Sequence, residues 1–339
     1  MQLADVAKKA GVSVTTVSRV INYDPNVKAS TRLRVERVLK ELNYYPNLHA
    51  QSLAGRGSKT LGFLASNLDN PFFIDIYRRF EQLAEEKGYD SVVAATHFDP
   101  DRLRVGIRSM AGRRVAGIAA MVSEIEPQVV EELSKIGIPV VFLDVGCAGE
   151  HVTNIRFNYR KGMRQLVEYL YSLGHRRMAF ISYPLPLWAT EERRTTFLET
   201  MGQYGAAAHV LPASSDNFVS GREAAGALVA SGFAPTAILC VNDLTAVGVL
   251  KELSERGISV PRQISVTGFD NIALSQVTIP SLTTIHIPGE QIARLAFQAL
   301  VSSSNGPSIM GQEITVDPEL IVRQSTGPAP ANADRPNDV

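Results

Sequence analysis

Within the first 25 residues, one short run holds side chains of a type suited to reading DNA. In "AGVSVTTVSRVIN", residues 10–22, Val14, Thr15, Thr16, Ser18, Arg19 and Asn22 fall on one side of a helical projection, opposite Val17, Val20 and Ile21. Short hydroxyl and methyl groups near a helix N-terminus can approach base edges in a major groove, and an arginine among them can pair with guanine. The β-branched composition favours a strand, but the apolar i, i+3, i+4 spacing and a capping serine at position 13 favour a helix.

Such a helix needs a scaffold, and the flanking residues supply one. Leu3, Val6, Ala7 and Ala10 make one apolar helical face, and Gly11 provides a turn. From Ser30 to Asn43 a third helical pattern places Val35, Val38, Leu39 and Leu42 on one side. Three short helices, the first two joined tightly, form a helix-turn-helix pattern. Charge agrees: residues 1–59 carry ten Lys and Arg against four Asp and Glu, while residues 60–339 carry 24 against 30. The neutral chain is a basic head on an acidic body, and a basic head can bind phosphate with counterion release.

From residue 60 the pattern changes. Apolar runs such as "TLGFLAS", "DSVVAAT", "VAGIAAMV", "IPVVFLD", "RMAFISY", "AILCVND" and "ISVTGFDN" are short enough for buried parallel strands, with helical segments between them. Two successive series in about 260 residues predict two doubly wound α/β lobes with a cleft between them. No apolar run is long enough for a membrane span, and no signal-peptide pattern opens the chain. The two cysteines, Cys147 and Cys240, lack CxxC spacing and fit a reducing compartment, so a cytoplasmic location is expected. Nucleotide-binding P-loop, GxSxG and HExxH motifs are missing, and the six histidines show no metal-ligand spacing. No catalytic residue, metal or cofactor is expected. A periplasmic solute-binding protein would share the body pattern but would have no use for the basic head.

Together, "LADVAKKAGVSVTTVSRVIN", "NLDNPFF", "SLGHRR", "VNDLTAVGVL", "VPRQISVTGFDN" and "LTTIHIP", in this order over about 320 residues, resemble the lactose-repressor (LacI/GalR-type) family of bacterial transcription regulators. The resemblance implies a homodimer on a pseudo-palindromic operator, and a periplasmic-binding-protein-like body holding a small-molecule effector between its lobes. By position it gives Val14, Thr15 and Arg19 base-facing roles, and makes Leu53 the residue that wedges into the central minor groove. It places Phe72, Phe73, Arg193, Phe218, Asn242 and Asp270 against the effector. The implied divisions are a head over 1–45, a hinge over 46–59, an N-lobe over 60–157 and 287–317, and a C-lobe over 158–286 and 318–327. A disordered tail over 328–339 completes the chain.

Several of these residues admit a plainer reading. Phe72, Phe73 and Phe218 also suit an ordinary core, and Arg194 is as good a candidate as Arg193 within "EERRTTF". Trp188, read as lying in a loop after a strand, either covers a sugar face or packs locally. His286 either bonds a ligand hydroxyl or ends a strand. The chain reads Phe157-Asn158 where the family commonly has Asp-Asn, so a carboxylate is missing from that wall and a partly apolar effector is favoured. Arg193 and Asp270, able to make paired charge-assisted hydrogen bonds to hydroxyls, still suit a sugar or sugar derivative best.

Overall fold

A computed structural model describes residues 2–21, 23–44, 58–124, 129, 137–144, 148–149, 151–185, 187–301 and 310–331. The chain divides into a head, Met1–Ser58, and a body, Lys59–Val339.

The head contains α1 (Leu3–Ala10), α2 (Val14–Ile21) and α3 (Ala29–Glu41). Gly11 ends α1 in the left-handed region, at φ 63°, a conformation that costs glycine little. Ser13 starts α2: its Oγ accepts from the Thr16 N–H at 3.1 Å, and its carbonyl accepts from Thr16 and Val17. Val6, Ala7, Ala10, Val17, Val20, Val35 and Val38 bury together. Burial in this core outweighs the poor helix propensity of the valines and threonines in α2.

The body begins with β1 (Thr60–Ala65), α4 (Pro71–Glu86), β2 (Asp90–Ala95), α5 (Pro100–Gly112), β3 (Gly117–Met121), β4 (Val140–Leu143) and β5 (Val152–Phe157). A second series follows with α6 (Tyr159–Ser172), β6 (Arg177–Ser182), α7 (Trp188–Gln203), β7 (Ala207–Pro212), α8 (Phe218–Ala230), β8 (Ala237–Cys240) and α9 (Asp243–Glu255). It continues through β9 (Ser265–Asp270), α10 (Leu274–Val277) and β10 (Thr283–His286), and α11 (Gly289–Val301), β11 (Glu313–Val316) and β12 (Glu319–Ile321) complete the body.

These strands make two sheets, ordered β11-β5-β4-β3-β1-β2 and β12-β10-β9-β8-β6-β7. Every pairing is parallel except β10 with β12. The inner strands β1, β3, β4, β6, β8 and β9 are almost wholly enclosed, as parallel strands covered by helices are, while the edge strands β2, β7, β11 and β12 are partly exposed. Both sheets reverse their winding between the first and third strand of their series, at β1/β3 and at β6/β8. Loops beyond the carboxyl ends of those strands diverge there and leave a crevice, where doubly wound sheets bind ligands.

The chain passes between the lobes three times: from β5 to α6, from β10 to α11, and from β11 to β12. At the first and last passages Asn158 N–H donates to the Val316 carbonyl at 3.2 Å and Lys161 pairs with Asp317 at 2.8 Å. The segment expected to be disordered from residue 328 is anchored at its start, because the Ala329 N–H donates to the Leu173 carbonyl at 2.9 Å. Residues 332–339 lie outside the described residues. Among the described residues no helix is long and apolar enough to cross a membrane.

Candidate nucleic-acid interface and effector cleft

On the head, Val14, Thr15 and Arg19 are exposed along α2, and Thr16 and Ser18 are half-buried beside them. Arg19 is held loosely, its Nε 3.8 Å from Asp24 Oδ2. Asp24 itself is fixed by the Asn26 backbone and side-chain N–H groups, at 2.9 and 3.0 Å. The α2 face therefore presents two methyl-bearing residues and one exposed guanidinium, a set that can meet thymine methyls and guanine acceptors. Asn22 and Leu53 lie outside the described residues.

In the body, the crevice between the two winding-reversal points is a cleft lined by residues of both lobes, the place where doubly wound sheets bind small molecules. Four of its walls are helix starts and strand ends. Asn70 caps α4 by accepting from the Phe72 N–H at 3.0 Å, with Pro71 as the first helical residue; this start directs Phe72 and Phe73 into the cleft. Their rings meet edge to face, centroids 5.1 Å apart. Asn242 caps α9 through Oδ1, 2.8 Å from the Thr245 N–H, and donates from Nδ2 to the Asp216 carbonyl at 2.8 Å. Its side chain is thus mostly committed to holding Asp216 at the cleft wall.

Arg193, one turn into α7, is buried. Its Nε donates to the Ala189 carbonyl at 3.1 Å and its Nη1 to the Val241 carbonyl at 2.6 Å. The guanidinium lies 5.0 Å from the ring centres of both Tyr159 and Phe269, so its charge is stabilised by aromatic faces as well as by carbonyls. Arg194 points elsewhere, gripping Glu191 with Nε and Nη2. Of the two arginines, Arg193 is the one that lines the cleft.

Asp270 ends β9 with φ 106°, a conformation rare for a residue with a side chain. Burial and the neighbouring Asp243 carboxyl push Asp270 well above the usual carboxylate range, against the pull of Arg193. Burial also raises Asp216. Asp144, just past β4, is raised to about 7 by burial, although the Phe157 N–H, the Tyr159 hydroxyl, Arg193 and Arg156 all favour its charged form. Its Oδ1 accepts from the Phe157 N–H at 2.6 Å, while Oδ2 is buried without a hydrogen bond. Position 157 contributes a fully buried ring, but Asp144 brings a carboxyl from another strand to the same wall. Arg193 thus acts electrostatically on a group of buried carboxyls whose pKa values burial raises.

The comparisons with known proteins fit this geometry. Residues 2–47 match the model of the lacI family of bacterial regulatory proteins, and residues 167–326 match the periplasmic binding protein-like domain. The HTH-type transcriptional repressor PurR of Serratia proteamaculans (strain 568) is 33% identical over 332 residues, 97% of each chain.

The chain belongs to the lacI family of bacterial regulatory proteins.

This lacI-family protein is a DNA-binding transcriptional regulator and not an enzyme. It is similar throughout to the Lac repressor dimer crystallised with operator and the anti-inducer ONPF, with a TM-score of 0.79 and 28% identity over 96% of this chain and 99% of that one. Its body is similar to a periplasmic binding protein/LacI transcriptional regulator from Alkaliphilus metalliredigens QYMF complexed with D-xylulofuranose, with a TM-score of 0.70 and 29% identity over 79% of this chain and 99% of that one.

Of the expected effector residues, Phe72, Phe73, Arg193, Asn242 and Asp270 line the lacI-family cleft together, and three do not. Phe218 is the first residue of α8 and is 37% exposed. It lines a surface groove with Val219, Arg222 and Arg256, and Asp216 occupies the cleft wall in its place. Trp188 opens α7 rather than lying in a loop. It packs edge-on against Tyr159 at 6.1 Å, beneath Arg156, and lines a separate pocket on the far side of Tyr159. His286 meets Asn271 at 3.2 Å and lines an adjoining pocket that shares Phe72, Asp270 and Ile287 with the cleft. The cleft also contains Phe98, Tyr159, Tyr183, Thr190 and Asp216, which sequence reasoning missed. Each follows a strand or starts a helix, and that position on the winding-reversal side was the available signal.

Proposed function

We propose that this regulator acts as a repressor: a homodimer that binds a pseudo-palindromic operator, and is controlled by a sugar or sugar derivative held between the lobes. The observation that carries the effector reading is Arg193, fixed by two backbone carbonyls between the rings of Tyr159 and Phe269 and facing a cleft shared with Asp270. A planar donor fork beside an acceptor carboxyl can bracket adjacent hydroxyls, and the Phe72 and Phe73 rings offer the apolar surface that covers a sugar face.

In this reading α2 lies in the major groove, with Val14, Thr15, Thr16, Ser18, Arg19 and Asn22 towards the bases. Residues 46–59 act as the hinge and Leu53 enters the minor groove. The N-lobe is 60–157 with 287–317, the C-lobe is 158–286 with 318–327, and the protein works in the cytoplasm. The operator-bound Lac repressor dimer and the xylulofuranose-bound relative support these assignments by their similarity.

Titration calorimetry of the full-length protein with pentoses, hexoses, their phosphates and nucleobases tests the effector reading, followed by gel shifts on operator fragments with each binder. A sugar that binds and changes operator occupancy supports it. A nucleobase that does so while no sugar binds would overturn the carbohydrate assignment, and no DNA retention at all would overturn the repressor.

A further inference from the structure

The two lobes touch each other directly across the cleft at the edge opposite their connections. All three passages leave the strands at one side of the sheets, β5, β10 and β11, whereas Asn67 and Phe98 follow β1 and β2, and Tyr183 follows β6, at the other. The rings of Phe98 and Tyr183 meet at 5.2 Å with their planes at 44°. Beside them Asn67 Nδ2 donates to Asp216 Oδ1 at 3.4 Å.

Each partner is braced within its own lobe. His97 and Phe98 both sit in the left-handed region, at φ 56° and 57°, which turns the Phe98 ring off the line of β2 and over the cleft. Asn67 Oδ1 accepts from the Asp69 N–H at 2.7 Å, and the Asp216 carbonyl is tied to Asn242. The Tyr183 hydroxyl is shifted up to about 12 by burial and by the carboxylates of Asp216 and Glu124. Glu124 belongs to the opposite lobe, where the Ser66 hydroxyl donates to it at 2.5 Å.

We infer that Asn67, Phe98, Tyr183 and Asp216 form a clasp that sets how often the cleft opens, and thereby how fast any effector enters or leaves. The contacts sit farthest from the connections, so a small rotation about those connections separates them first. Phe98, Tyr183 and Asp216 also line the cleft; a bound molecule therefore meets the clasp directly and biases the closed or open population by its contacts with it. The inference rests on the cleft as the ligand site but not on the effector being a sugar.

The test needs no effector. In full-length Cys147→Ser protein, Thr190→Cys places a thiol at a buried position lining the cleft, and its rate of reaction with a disulfide reagent reads cleft opening. Native Cys240, buried in β8 of the C-lobe core, reads global unfolding in the same sample. Phe98→Ala and Asn67→Ala should each speed labelling of the cleft thiol about three- to tenfold, the range expected from losing one aromatic or polar contact. Tyr183→Phe keeps the ring pair and should change the rate less than twofold. Unchanged labelling in both alanine variants would overturn the clasp, and so would an equal acceleration at Cys240. Should Phe98→Ala fail to fold, Asn67→Ala alone decides, since its half-exposed side chain carries no core packing.

Discussion

Nη1 of Arg193 donates to the Val241 carbonyl at 2.6 Å, so α7 and the end of β8 are joined by the side chain that faces the cleft. With Nε bound to Ala189, three of the five guanidinium N–H groups remain for a ligand. Arg193→Ala should weaken effector binding by about 2–4 kcal/mol, because ligand hydroxyls lose their donor. Arg193→Lys should lose nearly as much, as a lysine cannot hold two carbonyls and a ligand in one plane. Operator affinity without effector should change little in either variant. Calorimetry with the identified effector and gel shifts on operator DNA measure the two halves; wild-type effector affinity in the lysine variant would contradict the fork geometry.

Asp144 makes stability depend on pH. Its carboxyl is raised from 3.8 to about 7, so between those values the folded protein keeps a proton that the unfolded chain has released. Stability is therefore highest at the acidic end of this window and declines as pH rises towards 7. Asp144→Asn preserves the acceptor for the Phe157 N–H and tolerates the φ of 61°. The variant should gain on wild type as pH rises from 5 to 8, by on the order of 2–4 kcal/mol at 1.36 kcal/mol per unit. Chemical denaturation at both pH values measures it, and a gap that stays constant would show that Asp144 does not titrate in this window.

Leu53 is proposed to couple head and body. In the proposed reading two copies of the hinge, 46–59, meet over a bent minor groove and each places a leucine between base pairs. Leu53→Ala should sharply reduce specific operator affinity, since the apolar wedge that offsets unstacking is gone. Binding to random DNA, governed by phosphate contacts, should fall little and keep its salt slope. Salt titrations on both DNAs separate the effects; equal losses would reduce Leu53 to a packing residue.

The C-terminal segment should divide sharply in its contribution. His175 is buried between Thr236 Oγ1 and the Gly327 carbonyl, 3.0 Å from each, and Ser325 donates to the Val266 carbonyl at 2.6 Å. Deleting 328–339 removes the Ala329 bond and should cost about 1 kcal/mol, leaving dimer and operator affinity intact. Deleting 325–339 strips several buried groups of partners and should cost severalfold more. Thermal melts and sedimentation velocity measure both, and a native tetramer that the shorter deletion breaks apart would contradict the first expectation.

The head was legible almost residue by residue, because a helix encodes its buried face within a few neighbours: Val17, Val20 and the Ser13 cap are local facts. The strand runs of both lobes were legible for a similar reason. The cleft was only half legible. Phe72 and Asn242 belong to helix starts whose caps are visible in the sequence, whereas Phe98 and Tyr183 follow strands far apart in the chain and are gathered by sheet order. Phe218 and Trp188 illustrate the opposite error. Trp188 lies two residues before the lining residue Thr190 in α7, where each successive side chain is rotated by about 100°, and Phe218 opens α8 two residues after Asp216 and faces a different groove.

Because β11 joins one sheet and β12, two residues later, joins the other, neither lobe is a continuous piece of chain. The gene therefore cannot be cut into two halves that fold separately, and exchanging a single lobe with a relative would require three matched junctions. The same threading gathers all three junctions at one edge of the two sheets, so that a graft would have to match them together.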